Sequence, residues 1–147
     1  MRVYLDVCCL SRPFDNQSQE RVRLESEAVL MILHRIETGE WYLTNSEVIE
    51  DEIEQTPNAK RRERLHLLLR SANEYIQITG STVQRAKQLA NMGFSSTDAL
   101  HLACAEDVQV DVFLTTDNRL RRQLATLNNP LSIRVDNPLD WILEQEK

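Results

Sequence analysis

Carboxylates placed where strands end are the first residues of this sequence with a chemistry to offer. Asp6 closes a β-prone run and Asp117 follows another. In doubly wound sheets ligands bind beyond the carboxyl ends of the strands, so acids at those ends come first. Either one alone also fits a turn or a helix cap. Their equivalent positions on two strands point instead to one shared pocket.

The segment 47–54 (EVIEDEIE) holds five acids in eight positions, a pattern that usually marks a solvated helix face. At about 100° per residue, Glu50, Asp51 and Glu54 stay within about 60° of Glu47, on one outward stripe. Val48, Ile49 and Ile53 take the other side, and Glu52, at about 140°, falls among them. A carboxylate turned toward a core is costly unless it is paired or bound to a cation. Glu52 is therefore either the partner of an Arg or Lys or a functional ligand.

Asp98 lies in the first turn of the apolar stretch STDALHLACA, on one stripe with Leu102 and Ala105. Ser95 or Thr97 can cap that helix, and its positive end favours an ionised Asp. The dipole explains the position of Asp98 but not its inward stripe. His101, three residues on, reads as a hydrogen-bonded, partly buried histidine rather than a ligand. Cys8, Cys9 and Cys104 have no zinc-type spacing and read as small apolar packing residues.

Five β-prone runs, at 2–6, 41–45, 75–79, 112–115 and 133–135, must position these side chains, and they alternate with longer helical stretches. That alternation predicts an α/β fold with a parallel sheet. Val22, Val29, Leu33 and Ile36 fall at helical spacing, with Thr38-Gly39 as the stop. Another helix starts near Ser46, and Pro57 should break it from a basic helix over 60–70 to give a helical hairpin. Further helices are expected over 83–91, ending at Gly93, and after Ser95. No repeat or linker divides residues 1–147, which read as a single domain.

The chain has 147 residues, with 17 Lys plus Arg against 23 Asp plus Glu, a net charge of −6. Hydrophobic residues make up 41% and Gly only 3, which excludes disordered and collagen-like classes. The acidic total argues against broad coating of nucleic acid but allows a metal site. No apolar run reaches the roughly 18 residues of a membrane span, and the start lacks a secretory apolar region. Three cysteines, two of them adjacent, build no disulfide framework, so a reduced cytoplasmic protein is expected.

Four stretches in register resemble the PIN-domain family of metal-dependent ribonucleases, particularly the VapC-like toxins of bacterial toxin–antitoxin modules. They are YLDVCCLSRPFD (4–15), TNSEVIEDEI (44–53), TDALHLACAE (97–106) and FLTTDNRL (113–120). The resemblance implies a three-layer α/β/α fold around a mostly parallel sheet of four to five strands. It also implies that Asp6, Glu52, Asp98 and Asp117 are the catalytic, metal-holding acids, with Ser46 and Thr115 in support. Glu50 is the register alternative to Glu52, whereas Asp15 and Asp107 match no core acid position. Mg²⁺ or Mn²⁺ suits oxygen ligands without thiolates. Four site acids contribute −4, so two divalent ions would leave the chain at −6 + 4 = −2.

The activity implied by the resemblance is that of an endoribonuclease leaving 5′-phosphate and 3′-hydroxyl ends, with metal-activated water attacking the phosphodiester. Arg12 and Arg119 lead the phosphate-binding candidates, joined by Lys60, Arg61, Arg62, Arg121 and Arg122. The implied partners are RNA and a cognate antitoxin reaching into the acidic cleft, with no membrane. Leu65, Leu67, Leu68 and Leu69 make the hairpin a candidate homodimer contact, or ordinary core. The alternative function is a catalytically silent PIN-like module that binds protein or RNA. A phosphoryl-accepting domain ranks below both, because an Asp-x-Asp phosphatase needs an acid where Cys8 stands.

Overall fold

The computed structural model describes residues 1–146. Its β-branched and aromatic runs form five strands: β1 (Arg2–Leu5), β2 (Tyr42–Ser46), β3 (Glu74–Ile76), β4 (Val112–Leu114) and β5 (Val135–Asp136). They pair in the order β3-β2-β1-β4-β5, and every pairing is parallel. Successive residues of a strand point to opposite faces, so the complete burial of Val3, Tyr4 and Leu5 means that helices cover both faces of the sheet. The predicted α/β/α layering is the observed one.

Eight α-helices are described: α1 (Val7–Ser11), α2 (Glu20–Glu37), α3 (Glu47–Glu54), α4 (Ala59–Leu68), α5 (Gly80–Asn91), α6 (Ser96–Asp107), α7 (Asn118–Thr126) and α8 (Pro138–Gln145). Among these residues no helix is long and apolar enough to cross a membrane. α2 packs against α8, and α5 against α6. Gly39, at φ +83°, adopts the left-handed turn that stops α2, where Thr38-Gly39 predicts it. The break at Pro57 gives the hairpin of α3 and α4, with Asn58 capping the second helix.

Several boundaries move from their expected places, each for a local reason. β1 stops at Leu5 because Asp6 turns its carboxylate back to cap α1, a helix that the β-prone Val-Cys-Cys run conceals. β3 ends early because Thr79 caps α5, and a reciprocal Thr79–Thr82 capping box starts that helix at Gly80 instead of Val83. β5 begins at Val135, two residues after the expected start. The leucines of the basic hairpin are mostly core: Leu65 and Leu69 are buried and Leu68 packs on them, leaving Leu67 exposed.

The order of strands has a chemical consequence. From β1 the chain steps to β2 and β3 on one side, then crosses to β4 and β5 on the other. The carboxyl edge between β1 and β4 is therefore the switch point, where parallel sheets open a crevice. Asp6 leaves β1 there, with its N–H still bonded to Leu114 O at 3.0 Å.

Candidate metal centre

Asp6 is 7% exposed, and each of its oxygens has a defined partner. Oδ1 accepts the Val7 N–H at 2.9 Å. Oδ2 accepts the Thr115 hydroxyl at 2.9 Å and the Cys8 thiol at 3.4 Å. Thr115 Oγ1 accepts in turn the backbone N–H of Asp117 at 3.1 Å. Asp117 caps α7 by taking the N–H groups of Arg119 and Leu120. One buried hydroxyl thus ties the acid after β1 to the acid after β4.

Glu52 arrives from α3, whose Ser46 cap accepts the Ile49 N–H at 3.1 Å. Val48, Ile49 and Ile53 are buried, and Glu52 stands at the edge of that face. Its partner is neither Arg nor Lys but His101 of α6, with Nε2 2.7 Å from Glu52 Oε1 and 4.0 Å from Asp6 Oδ1. Ligating atoms of Asp6, Glu52 and His101 all lie within 4.8 Å of one another. Glu50 turns away, accepting Asn45 Nδ2 at 2.8 Å and meeting His66 Nδ1 at 3.1 Å.

Asp98 is half-buried in the first turn of α6, capped by Ser95 rather than Thr97. Burial raises its carboxyl above the usual range, and the charges of Asp6 and Asp117 push the same way. Burial likewise raises Asp6, partly offset by His101 and the Thr115 hydrogen bond. Asp98 and Asp117 stand outside the compact trio, and Asp98 lies within reach of the charges of both Asp6 and Asp117. The described ion pairs give none of these four carboxylates a Lys or Arg partner.

Carboxylate oxygens with no Lys or Arg among their described partners suit a hard divalent ion such as Mg²⁺ or Mn²⁺. Carboxylates this close repel when ionised, and a cation removes that penalty. The outer acids serve the fold: Asp15 pairs with Arg12 and Arg61, and Asp107 accepts the Thr82 hydroxyl at 2.6 Å.

The cations divide in the same way. Arg12 is held by Asp15 and the buried Glu25, while Arg61 and Arg62 bond Asp15 and backbone carbonyls. Arg121 bonds Asn118. Arg119 and Arg122 line a groove with Ser95 and Gln123, close to the first turn of α6. A separate cavity of about 170 Å³ opens beside Glu52, walled by Val48, Ile78 and Leu100 with Gln55 and Thr97.

Three residues join the site beyond the expected acids. His101 is 1% exposed and lies within it, because α6 presents position 101 to the sheet edge. Tyr4, two residues before Asp6, reaches His101 Nδ1 at 2.7 Å and Ser46 Oγ at 2.8 Å. Cys8 packs against the core as expected, but α1 begins at Val7 and so also brings its thiol against Asp6 and Thr115. The proximity of Cys8 to Asp6 in sequence is the one signal that could have suggested this. Cys9 and Cys104 are buried as expected.

The family model described as PIN domain matches residues 3–123, a stretch that contains all four acids. No curated protein matches this sequence. Solved structures share the fold at low identity. A chain of FitAcB from Neisseria gonorrhoeae is 16% identical with a TM-score of 0.59, covering 92% of this chain and 97% of that one. VapBC-1 from nontypeable Haemophilus influenzae gives 14%, a TM-score of 0.60, and coverage of 94% and 98%. VapBC2 from Rickettsia felis, solved bound to a DNA fragment from its promoter, gives 13%, a TM-score of 0.59, and coverage of 92% and 98%.

Proposed function

This chain belongs to the PIN-domain family, and from that premise we propose that it is a metal-dependent endoribonuclease, the toxin of a type II toxin–antitoxin module. The observation that carries the reading is a buried Asp6 beside Glu52, with Asp98 in its field and no Lys or Arg paired with them among the described residues. Residues 124–146 belong to the same domain in this reading, because β5 pairs with β4 and α8 packs on α2.

Asp6, Glu52, Asp98 and Asp117 hold Mg²⁺ or Mn²⁺. When bound, such an ion would supply activation of water and stabilisation of charge on the leaving oxygen. Thr115 fixes Oδ2 of Asp6, and Ser46 fixes the start of the helix that carries Glu52. Arg119 and Arg122 meet the RNA backbone at the groove beside α6. Arg12, engaged by Asp15 and Glu25, shapes the loop rather than the substrate track. The apolar walls beside Glu52 offer a base of the bound strand a place to rest.

The structural neighbours are FitAcB and VapBC chains, which supports an antitoxin partner; basic or apolar groups of that partner would suit the acidic cleft. A homodimer and a cytoplasmic location complete the proposal, the first using exposed Leu67 and the second consistent with three free cysteines. The test is cleavage of structured and single-stranded RNA with Mn²⁺, with chelator, and with Asp98→Asn. Cleavage should require the metal, and Asp98→Asn should lower it about 10²-fold or more as metal affinity falls with it. Undiminished cleavage by Asp98→Asn overturns the assignment. A metal-loaded but inactive wild type supports the silent binding module instead.

A further inference from the structure

A buried chain of polar side chains ends on Glu52. Ser46 Oγ lies 2.8 Å from Tyr4 Oη, Tyr4 Oη 2.7 Å from His101 Nδ1, and His101 Nε2 2.7 Å from Glu52 Oε1. Ser46 and Tyr4 are fully buried and His101 is 1% exposed, so water completes none of these contacts cheaply. The chain is anchored on the middle strand, where Tyr4 pairs in register with Thr44 and Phe113 and stacks on the Phe113 ring at 5.0 Å.

Counting hydrogens gives the chain a direction. Ser46 Oγ already accepts the Ile49 N–H, so its own hydrogen is free to go to Tyr4. The Tyr4 hydrogen then goes to His101 Nδ1, and the remaining ring hydrogen sits on Nε2, facing Glu52. The reverse order leaves the Ser46 hydrogen with no acceptor among the described contacts. It also sets a bare Nε2 lone pair against a carboxylate oxygen at 2.7 Å. A doubly protonated ring carries the Nε2 hydrogen too, so the donor role holds in either charge state.

Resting on the nuclease reading, we propose that His101 is a positioning residue for Glu52 and not a metal ligand, its Nε2–H holding one carboxylate oxygen so that the other faces the cation. Glu52 is 36% exposed on a long side chain, and its other oxygen accepts no hydrogen bond among the described residues. Left alone, such a side chain must be ordered by the ion at an entropic cost. A donor fixed by the sheet removes part of that cost before the ion arrives. Outer partners of metal-holding groups commonly set affinity by about 10–100-fold.

Two substitutions separate this role from packing. A Gln amide nitrogen stands near where Nε2 was, whereas Asn replaces the Nδ1 side and falls short of Glu52. Calorimetric Mn²⁺ titration without RNA should show His101→Asn weakened by about 10–100-fold and His101→Gln within about threefold of wild type, with Tyr4→Phe between them. Electron spin-echo spectra of the Mn²⁺-loaded protein should show no directly coordinated nitrogen. Equal loss in the Asn and Gln variants, no loss in either, or a coordinated-nitrogen signal would each overturn the inference. A wild type that binds Mn²⁺ but cleaves no RNA defeats the nuclease reading while the variant order still decides the role of His101. A wild type that binds no Mn²⁺ defeats both.

Discussion

Asp6→Asn should raise the melting temperature of the metal-free protein and, in the same molecule, should remove both the proposed Mn²⁺-dependent stabilisation and cleavage. The opposite signs have one cause. Burial raises the Asp6 carboxyl from its ordinary 3.8, so its ionised form is disfavoured in the fold at neutral pH. That penalty is present above the raised value and is relieved as pH falls through it toward the ordinary range. Asn keeps the useful contacts: its oxygen still accepts the Val7 N–H, and its amide donates to Thr115 Oγ1, which has a lone pair to spare beside the Asp117 N–H.

The expected gain without metal is about 1 kcal/mol, the usual size when strain stored at a functional site is released. It should shrink as the wild-type carboxyl protonates. With Mn²⁺ the order reverses, because ligand binding to the folded state stabilises only the wild type. Cleavage should fall by about 10³-fold, as expected for loss of a central charge-holding group. Melting curves at two pH values, with Mn²⁺ and with chelator, read all of this. A variant that is less stable without metal, or that keeps the Mn²⁺ shift, contradicts it.

Glu25→Ala should be the most damaging single change to the fold outside the apolar core. Glu25 is 1% exposed on α2 and receives Arg12 Nε at 2.9 Å, Arg21 Nε at 3.3 Å and Asn137 Nδ2 at 2.6 Å. Asn137 caps α8, so one carboxylate joins the loop after α1 to the C-terminal helix. Arg21 also donates to the Thr116 carbonyl, next to Asp117. Removing one member of a buried pair strands the other charge and costs about 3–5 kcal/mol. Arg12 retains Asp15, which places the expected loss near the lower end, about 3 kcal/mol. Urea denaturation measures it. The double variant Arg12→Met/Glu25→Leu should recover most of the loss, and a single-variant cost below about 1 kcal/mol would show that the network carries little.

Much of the site is legible in the sequence because it depends on local rules. Strand ends locate Asp6 and Asp117, and the angular position of Glu52 among Val48, Ile49 and Ile53 separates it from Glu50 without any family pattern. Three helices, α1, α7 and α8, escape the sequence reading, and in the first and last of them local signals compete. Val7-Cys8-Cys9 looks like a strand until Asp6 caps it, and the Asn137-Pro138 start of α8 comes directly after a two-residue strand.

What the sequence withholds is partnership across distance. Glu52 has an inward position, but nothing local says that its partner is a histidine 49 residues away rather than an arginine. Glu25 sits at helical spacing between Val22 and Val29, yet its donors come from residues 12, 21 and 137. The apparent surplus of leucines in α4 resolves once the sheet is present to cover Leu65 and Leu69.

Anomalous diffraction from Mn²⁺-soaked crystals would locate the ion among these four acids. A peak is expected within bonding distance of a carboxylate oxygen of Asp6, with oxygens from Glu52, Asp98 or Asp117 completing its protein ligands and the His101 ring outside bonding distance. An empty pocket at saturating Mn²⁺, or one filled by a lysine or arginine of the chain itself, would contradict that expectation.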